Sequence, residues 1–229
     1  MAIQILNTRE EARLHGVKAL IYGPAGVGKT SLVLSMDKPI ILSAESGVLS
    51  LRQYDLPMIK IRTVMDLNEA YMWLTTNPAA NQFNTVFIDS ITEIAEQVLV
   101  NAKGLVKDPR MAYNTLLDQM IPIVKSYRDL PGKHVIMAAK EESYKDEVGV
   151  THRGPMMPGN KVGQQLPYLF DEVFRMGINK DASGKQYRFF QTQPDMQYEA
   201  KDRSGVLDFM ERPHMTNVIN KILSTTGAL

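Results

Sequence analysis

The stretch Gly23-Pro-Ala-Gly-Val-Gly-Lys-Thr30 is a complete G-x-x-x-x-G-K-T motif. It follows an apolar run at residues 17–22 and leads into the apolar residues 32–34, so it joins a predicted strand to a predicted helix, as a phosphate-binding loop requires. Glycines let backbone N–H groups wrap around phosphate oxygens, and the positive end of the following helix adds to the attraction. The motif predicts a triphosphate site whose contacting residues are Gly23, Pro24, Ala25, Gly26, Val27, Gly28, Lys29, Thr30 and Ser31.

A phosphate loop of this type also uses a fixed charge and a metal ion. We expect Lys29 to neutralise the β- and γ-phosphates and the Thr30 hydroxyl to bind Mg²⁺. A carboxylate at the end of a neighbouring buried strand normally completes the metal site, and Asp89 directly follows the apolar residues 85–88. The alternative is that Asp89 caps the next helix, but Ser90 already fits that cap. The predicted ligands are therefore ATP and Mg²⁺.

Hydrolysis of ATP needs a base that takes a proton from water. Many phosphate-loop ATPases carry a glutamate directly after the metal-site aspartate, and that position is Ser90 here. Glu45 follows the apolar residues 39–43, and the carboxyl ends of parallel strands meet at one edge of a sheet, so Glu45 is the predicted base. Its alternative role is an N-terminal helix charge. Glu93 is the weaker rival, because a capping box with Ser90 would turn it back toward its own backbone.

Composition limits the classes of function. The 229 residues include 26 Lys+Arg and 25 Asp+Glu, and 44% are hydrophobic, which is typical of a globular chain. A net charge of +1 provides no bulk basic surface, so nucleic-acid binding would need a local patch. The absence of cysteine excludes disulfides, thiolate zinc sites and thiol nucleophiles. The first residues lack the apolar stretch of a signal peptide and no run approaches about 20 apolar residues, so we expect a cytoplasmic protein.

Short apolar runs alternate with amphipathic segments. Strands are predicted at residues 17–22, 39–43, 85–88 and 134–139. Helices are predicted at residues 67–74, 91–99, 216–223 and 111–130, the last kinked or split by Pro122. Residues 172–178 and 186–192 predict a hairpin. This order predicts an α/β fold with a mostly parallel central sheet flanked by helices and a C-terminal antiparallel hairpin extension, in one domain over residues 1–229 with a core at about 15–210.

The order of the motifs resembles the RecA-like ATPase core: a phosphate loop, a strand that ends in Ala44-Glu45, one that ends in Asp89-Ser90, and one that ends at Lys140. RecA-like proteins place a phosphate-sensing polar residue, usually Gln, at the last position, so the resemblance implies a sensor role for Lys140. More narrowly, the chain resembles the phage-encoded RecA-like single-strand-annealing recombinases, often described only as phage nucleotide-binding proteins. The stretches that carry this resemblance are GPAGVGKTSL, ILSAESGVLSL, FIDSITEIAEQ, YRDLPG, QLPYLFDEVFRM and AKDRSG.

The resemblance implies an ATPase, stimulated by DNA, that binds single-stranded DNA and promotes annealing or strand exchange in phage homologous recombination. It also implies two mobile loops that face the DNA, at residues 101–111 and 141–161. The second is rich in Gly and Pro, which favours irregular structure over a regular helix or strand. Phosphate contacts from such loops would be nonspecific and salt-sensitive, and the alternative is a solvated surface loop. The candidate DNA contacts are Lys103, Lys107, Arg110, His152, Arg153 and Lys161.

The resemblance further implies catalysis between subunits of a homo-oligomer. Ring and filament ATPases use a Lys-x-Arg pair at the place of Lys201 and Arg203 to reach the γ-phosphate of a neighbour. In an extended stretch this spacing points both side chains to one face, and the alternative is a surface turn paired with acidic neighbours. A single-strand-binding protein is a further candidate partner. Two other functions stay open: a ring-forming helicase-like motor or loader, and a nucleotide-gated DNA-binding module with little hydrolysis.

Overall fold

The computed structural model describes residues 7, 8, 15–45, 47–146 and 148–224, with the backbone alone for Pro109, Asn160 and Lys161. The strands of this part are β1 (Lys18–Gly23), β2 (Pro39–Ser43), β3 (Met58–Lys60), β4 (Thr85–Asp89), β5 (His134–Lys145), β6 (Thr151–Pro155), β7 (Glu172–Lys180), β8 (Gln186–Gln191), β9 (Lys201–Asp202) and β10 (Met210–Glu211). Its α-helices are α1 (Val64–Thr76), α2 (Ile91–Leu105), α3 (Pro109–Arg128), α4 (Asn160–Gln165) and α5 (Met215–Ser224). Short 3₁₀ helices lie at Thr30–Ser35, Val48–Leu51, Pro78–Gln82 and Leu166–Leu169.

The strands form one sheet with a parallel centre. Its central order is β7-β1-β5-β4-β2-β3, and each of these neighbours pairs in parallel. The hairpin partner β8 and then β10 extend the sheet beyond β7 in antiparallel register, while β6 and β9 pair antiparallel with β5 and β7. The predicted α/β fold with a C-terminal antiparallel hairpin is therefore confirmed. The sequence missed β3, because this three-residue strand is largely exposed and has no apolar run.

Helices cover both faces of the sheet, which explains why its central strands are continuously apolar. Successive residues of β1 point to opposite faces. Leu20 and Tyr22 pack with the buried residues of α1, α2 and α3. Ala19 and Ile21 pack on the other face, with the 3₁₀ helix Thr30–Ser35 and with α5. Among the residues described, no helix combines the length and apolar character needed to cross a membrane.

The helix predicted at residues 111–130 is present as one helix that Pro122 does not split. Helix α3 begins after Asp108, whose carboxylate caps the Arg110 N–H at 2.9 Å, and it continues through Pro122 to Arg128. Pro122 removes one backbone hydrogen bond. Met120 and Val124 are fully buried on either side of it, so packing of this face holds the helix together.

Both segments expected as loops are largely regular, and the prediction of irregular structure at residues 141–161 was wrong. In residues 101–111, α2 continues to Leu105 and α3 begins at Pro109, which leaves a connection of three residues. In residues 141–161, β5 continues to Lys145 and pairs with β6, and α4 begins after Gly159. The glycines occupy sites that need them: Gly149 (φ +86°) lies in the hairpin turn and Gly159 (φ +84°) precedes α4. Pairing along the hairpin therefore outweighs the local Gly and Pro signals.

The two segments that carry the narrow resemblance, QLPYLFDEVFRM and AKDRSG, bond to each other near the amino end of β1. The Lys201 ammonium donates to the carbonyl oxygens of Phe170 and Pro167. Glu172 lies opposite Asp202 in the β7–β9 pairing and accepts from the Ser204 N–H at 3.3 Å. This network links the first residues of β7, and through them β1, to the β9 segment.

Glu172 is 2% exposed, and its Oε2 has no hydrogen-bond partner among the described residues. Burial, reinforced by the charge of Asp202, raises the pKa of Glu172 to about 8. Between the ordinary pKa of a glutamate and about pH 8, the Glu172 carboxyl therefore keeps its proton in the folded state but loses it in the unfolded chain. The resulting contribution to stability is complete below the unfolded pKa and is lost as pH rises toward 8.

We predict that Glu172→Gln, neutral at every pH, flattens this dependence. The variant should match the wild type near pH 5 and be more stable at pH 8.5 by roughly 1 to 3 kcal/mol, measured by urea unfolding. Glu69→Gln, at an exposed position of α1, is the control. Equal loss of stability between pH 5 and 8.5 in the wild type and in Glu172→Gln would contradict the prediction.

Candidate functional site

The phosphate-loop motif has the conformation that its glycines permit. Gly26 (φ +76°) and Gly28 (φ +103°) adopt left-handed backbone conformations. Gly23 ends β1 so close to β7 that an added Cβ would lie 2.4 Å from the Met176 carbonyl oxygen. The element that follows is shorter than expected, since Thr30–Ser35 is a six-residue 3₁₀ helix and β2 starts at Pro39. The close approach of the loop backbone to β7 is therefore its main feature. The helix that follows is too short to add a long helix dipole.

The Lys29 side chain folds back over the phosphate loop, where it is expected to bind the phosphates. Its ammonium donates to the carbonyl oxygens of Gly23 at 2.7 Å and Pro24 at 3.1 Å. Burial lowers the pKa of Lys29, and the charges of Asp89 and Glu45 act in the opposite direction. A phosphate in the loop would replace these carbonyl contacts with a full charge interaction.

Thr30 and Asp89 meet directly. The Thr30 hydroxyl donates to Asp89 Oδ2 at 2.6 Å, and Asp89 is 3% exposed. Burial raises the pKa of Asp89 to about 6, the nearby Glu45 charge adds to this rise, and the Thr30 hydrogen bond opposes it. A hydroxyl and a carboxylate oxygen this close are hard ligands of the kind that Mg²⁺ prefers. The described residues contain no group of three or more His, Cys, Asp or Glu suited to a metal, so the ion's other ligands would be water and phosphate.

Glu45 joins this group through the strand register. Ser43 of β2 lies opposite Asp89 of β4, and the Glu45 N–H donates to the Asp89 carbonyl at 3.3 Å. The Ser90 hydroxyl then donates to Glu45 Oε1 at 2.7 Å. The 3₁₀ helix Val48–Leu51 has no acidic residue in its first turn and no side-chain cap. The expected meeting of Glu45 with Asp89 at the carboxyl edge of the sheet is therefore present, while the base role of Glu45 stays a prediction.

Lys140 and Glu93 face each other. Lys140 lies opposite Gly23 in the β1–β5 pairing, which puts it beside the phosphate loop. Its ammonium pairs with Glu93 at 2.8 Å and with Glu96 at 3.2 Å. The expected capping box is only half formed, because Ser90 accepts the Glu93 N–H at 3.4 Å while the Glu93 carboxylate turns to Lys140. A sensor role for Lys140 would require it to leave these carboxylates for a phosphate.

A cleft beside the phosphate loop has no counterpart among the sequence predictions. Arg188 of β8 donates from Nε to the Val27 carbonyl at 2.6 Å. The cleft has a volume of about 680 Å³, and its lining includes Gly28, Ser31, Tyr187, Arg188, Met210 and Arg212. An aromatic and apolar lining with two arginines, next to a phosphate loop, suits a nucleoside. No sequence motif identifies these residues, because β8 and β10 are far from the phosphate loop in sequence. The pairing of strands in the sheet brings them next to it.

The candidate DNA contacts are spread over the α2–α3 region, β6 and the start of α4. Lys103 and Arg110 flank the α2–α3 connection that contains Lys107, and the Lys103 ammonium lies 5.6 Å from the Tyr113 ring centroid. On β6, His152 pairs with Asp146 at 2.9 Å and Arg153 with Glu141 at 3.2 Å. The side chain of Lys161 lies outside the described residues. Several of these cations thus have protein partners that DNA would have to replace.

Lys201 and Arg203 lie at the opposite edge of the sheet from their own phosphate loop. Lys201 is opposite Val173 at the start of β7, whereas the loop follows the carboxyl end of β1. Lys201 is held by the carbonyls of its own chain, but the Arg203 side chain is 66% exposed and pairs with Asp171 at 2.7 Å. Arg203 is thus the more accessible of the two residues predicted to reach a neighbour's γ-phosphate. Its role in a neighbouring subunit stays a prediction.

Comparison with known proteins places the chain in a family and finds several similar solved structures. The chain belongs to the AAA domain family, whose model matches residues 15–204. Three solved structures are similar. The KaiC-like protein of Pyrococcus horikoshii has 12% identity, coverage of 81% of this chain and 84% of that chain, and a TM-score of 0.44. The flagellar accessory protein FlaH of Methanocaldococcus jannaschii has 12% identity, coverage of 86% and 84%, and a TM-score of 0.46.

The third structure is a prototypical ATPase from the type III secretion system of pathogenic bacteria. It has 17% identity, coverage of 76% of this chain and 56% of that chain, and a TM-score of 0.47. No curated protein matches the chain.

We predict that Lys29→Ala abolishes nucleotide turnover while the protein stays folded. The substitution removes a phosphate charge from a loop and leaves core packing intact. ATP hydrolysis and circular dichroism measure the two outcomes, and Lys60→Ala, at an exposed position of β3, is the matched control. Unchanged turnover in folded Lys29→Ala would contradict the phosphate role.

Proposed function

We propose that the protein is a RecA-like ATPase that binds ATP·Mg²⁺ and single-stranded DNA and promotes annealing or strand exchange in phage homologous recombination. One observation carries the ATPase part: Lys29, Thr30, Asp89 and Glu45 come together at one edge of the sheet. The DNA part is supported by the ordered motifs and by the basic side chains of the β5–β6 hairpin and the α2–α3 connection. In this proposal residues 1–229 act as one domain.

The geometry supports the following catalytic roles within this proposal. Lys29 would bind the phosphates, and Thr30 and Asp89 would hold Mg²⁺, which would supply positive charge against the charge that develops on the phosphates. Glu45 accepts the proton of the attacking water, and Lys140 senses the γ-phosphate. The nucleoside occupies the cleft lined by Tyr187 and the neighbouring arginines.

Single-stranded DNA is bound through its phosphates, in a nonspecific and salt-dependent manner. The contacts are Lys103, Lys107, Arg110, His152, Arg153 and Lys161. Subunits assemble into a ring or filament in which Lys201 and Arg203 reach the γ-phosphate of the neighbour. A single-strand-binding protein is a candidate partner because it would occupy the same substrate.

The proposal is tested by ATP turnover with and without single-stranded DNA, with annealing of complementary strands and unwinding of a forked duplex measured in the same buffer. We expect DNA to stimulate turnover several-fold, with annealing and without unwinding. Directional unwinding would favour the motor or loader instead. DNA binding that responds to ATP without turnover would favour the nucleotide-gated module.

We predict that Glu45→Gln still binds ATP but loses turnover by roughly 10²-fold. The amide preserves shape and cannot accept the proton from water. Turnover and ATP affinity are measured separately, the latter with a fluorescent nucleotide analogue. Glu93→Gln is the matched comparison, and wild-type turnover in Glu45→Gln together with a large loss in Glu93→Gln would identify Glu93 as the base.

We predict that turnover per subunit rises with protein concentration and that Arg203→Ala removes this rise while ATP still binds. Arg203 would act on the phosphate in a neighbouring subunit, so its effect depends on assembly. Mixtures of Arg203→Ala with Lys29→Ala should recover activity, because a subunit with an intact phosphate loop can use the arginine of its neighbour.

Light scattering establishes whether the two variants assemble together. Co-assembled mixtures without recovery, or full activity of Arg203→Ala by itself, would contradict a role in the neighbouring subunit.

A further inference from the structure

Position 90, where many phosphate-loop ATPases carry their glutamate, holds a serine that contacts a glutamate from another strand. The Ser90 hydroxyl donates to Glu45 Oε1 at 2.7 Å, and Ser90 is fully buried at the end of β4. Glu45 follows β2, the next strand in the sheet. The carboxylate and the group that holds it therefore come from two different strands.

We infer that Ser90 is the positioning residue that aims the Glu45 carboxylate at the attacking water. This inference rests on the proposed ATPase function and on Glu45 as its base. The bond from Ser90 holds Oε1 of the Glu45 carboxylate, and no described residue donates a hydrogen bond to Oε2, so we assign Oε2 to the attacking water. Holding a base in the productive orientation lowers the barrier, because the reacting atoms lose less freedom when the reaction occurs.

A purely structural role for Ser90 is the competing explanation, because Ser90 is also the N-cap of α2. The cap contact, from the Glu93 N–H to Ser90 Oγ, is 3.4 Å long, against 2.7 Å for the contact with Glu45. The hydroxyl can serve both, since it accepts one bond and donates the other. The shorter bond goes to the carboxylate.

The structure supplies a matched control. Ser43 is buried like Ser90, and its hydroxyl also bonds to Glu45, but it donates to the main-chain oxygen at 2.8 Å. Ser43→Ala therefore removes a buried serine bond to the same residue without touching the carboxylate. Ser90→Gly is a second test variant, because glycine is tolerated at an N-cap far better than alanine and still lacks the hydroxyl.

The experiment measures kcat, ATP affinity and circular dichroism for these variants. We expect Ser90→Ala and Ser90→Gly to lower kcat by about 10- to 100-fold, with ATP affinity within about twofold of the wild type. Ser43→Ala should keep wild-type kcat. In the Glu45→Gln background, Ser90→Gly should slow turnover no further, because a residue that acts only through Glu45 has nothing left to position.

Each outcome bears on a different assignment. Wild-type kcat in folded Ser90→Gly, together with a large loss in Glu45→Gln, overturns the positioning role alone. Multiplicative losses in the double variant also overturn it, since Ser90 would then act independently of Glu45. An absence of ATP turnover in the wild-type protein overturns the proposed function and this inference together.

Discussion

The hydrogen bond from Thr30 to Asp89 joins the phosphate loop to the end of β4, and the rest of the site is arranged around it. The two strands that it connects are not neighbours, because β5 lies between β1 and β4. At this level β5 contributes Ala138, which is fully buried on the same face as the 3₁₀ helix Thr30–Ser35, and its small side chain leaves room for the loop to reach across. Parallel register then brings Ser43 opposite Asp89, which sets Glu45 at the same edge.

The charged groups of the site are satisfied by the protein itself. Lys29 bonds to loop carbonyls, Lys140 pairs with Glu93 and Glu96, and Asp89 accepts the Thr30 hydroxyl. Burial of a charge without a partner is costly, so these internal contacts stabilise the charged side chains of the site. A bound nucleotide and metal would exchange some of these contacts for interactions with phosphate oxygens and the ion.

At the amino ends of the strands, side-chain hydrogen bonds fix the positions of β1 and β7. This structural role explains several motifs that lie far from the phosphate loop. In YRDLPG, Tyr127 donates to the Leu67 carbonyl at 2.5 Å, and the Leu130 carbonyl accepts the buried Lys18 ammonium at 3.0 Å. Burial lowers the pKa of Lys18 to about 8. The QLPYLFDEVFRM and AKDRSG segments bond to each other at the same edge. These motifs fix the position of β1 and β7, and they present Arg203 at the surface.

The sequence by itself determined the phosphate loop, the strands β1, β2, β4 and β5, most helices and the C-terminal hairpin. These features are encoded locally, in the spacing of glycines, the length of apolar runs and the period of amphipathic segments. It also placed Glu45 and Asp89 at one edge, because parallel strands share a direction.

Only the tertiary structure decided which side chains touch. Ser90 and Glu45 are 45 positions apart, and Arg188 and Val27 are 161 positions apart. Such contacts depend on strand order and register, which no local pattern encodes. The β5–β6 hairpin was missed for the same reason: its glycines and prolines signal a loop locally, but pairing with a partner strand satisfies the backbone hydrogen bonds that a loop would leave to water.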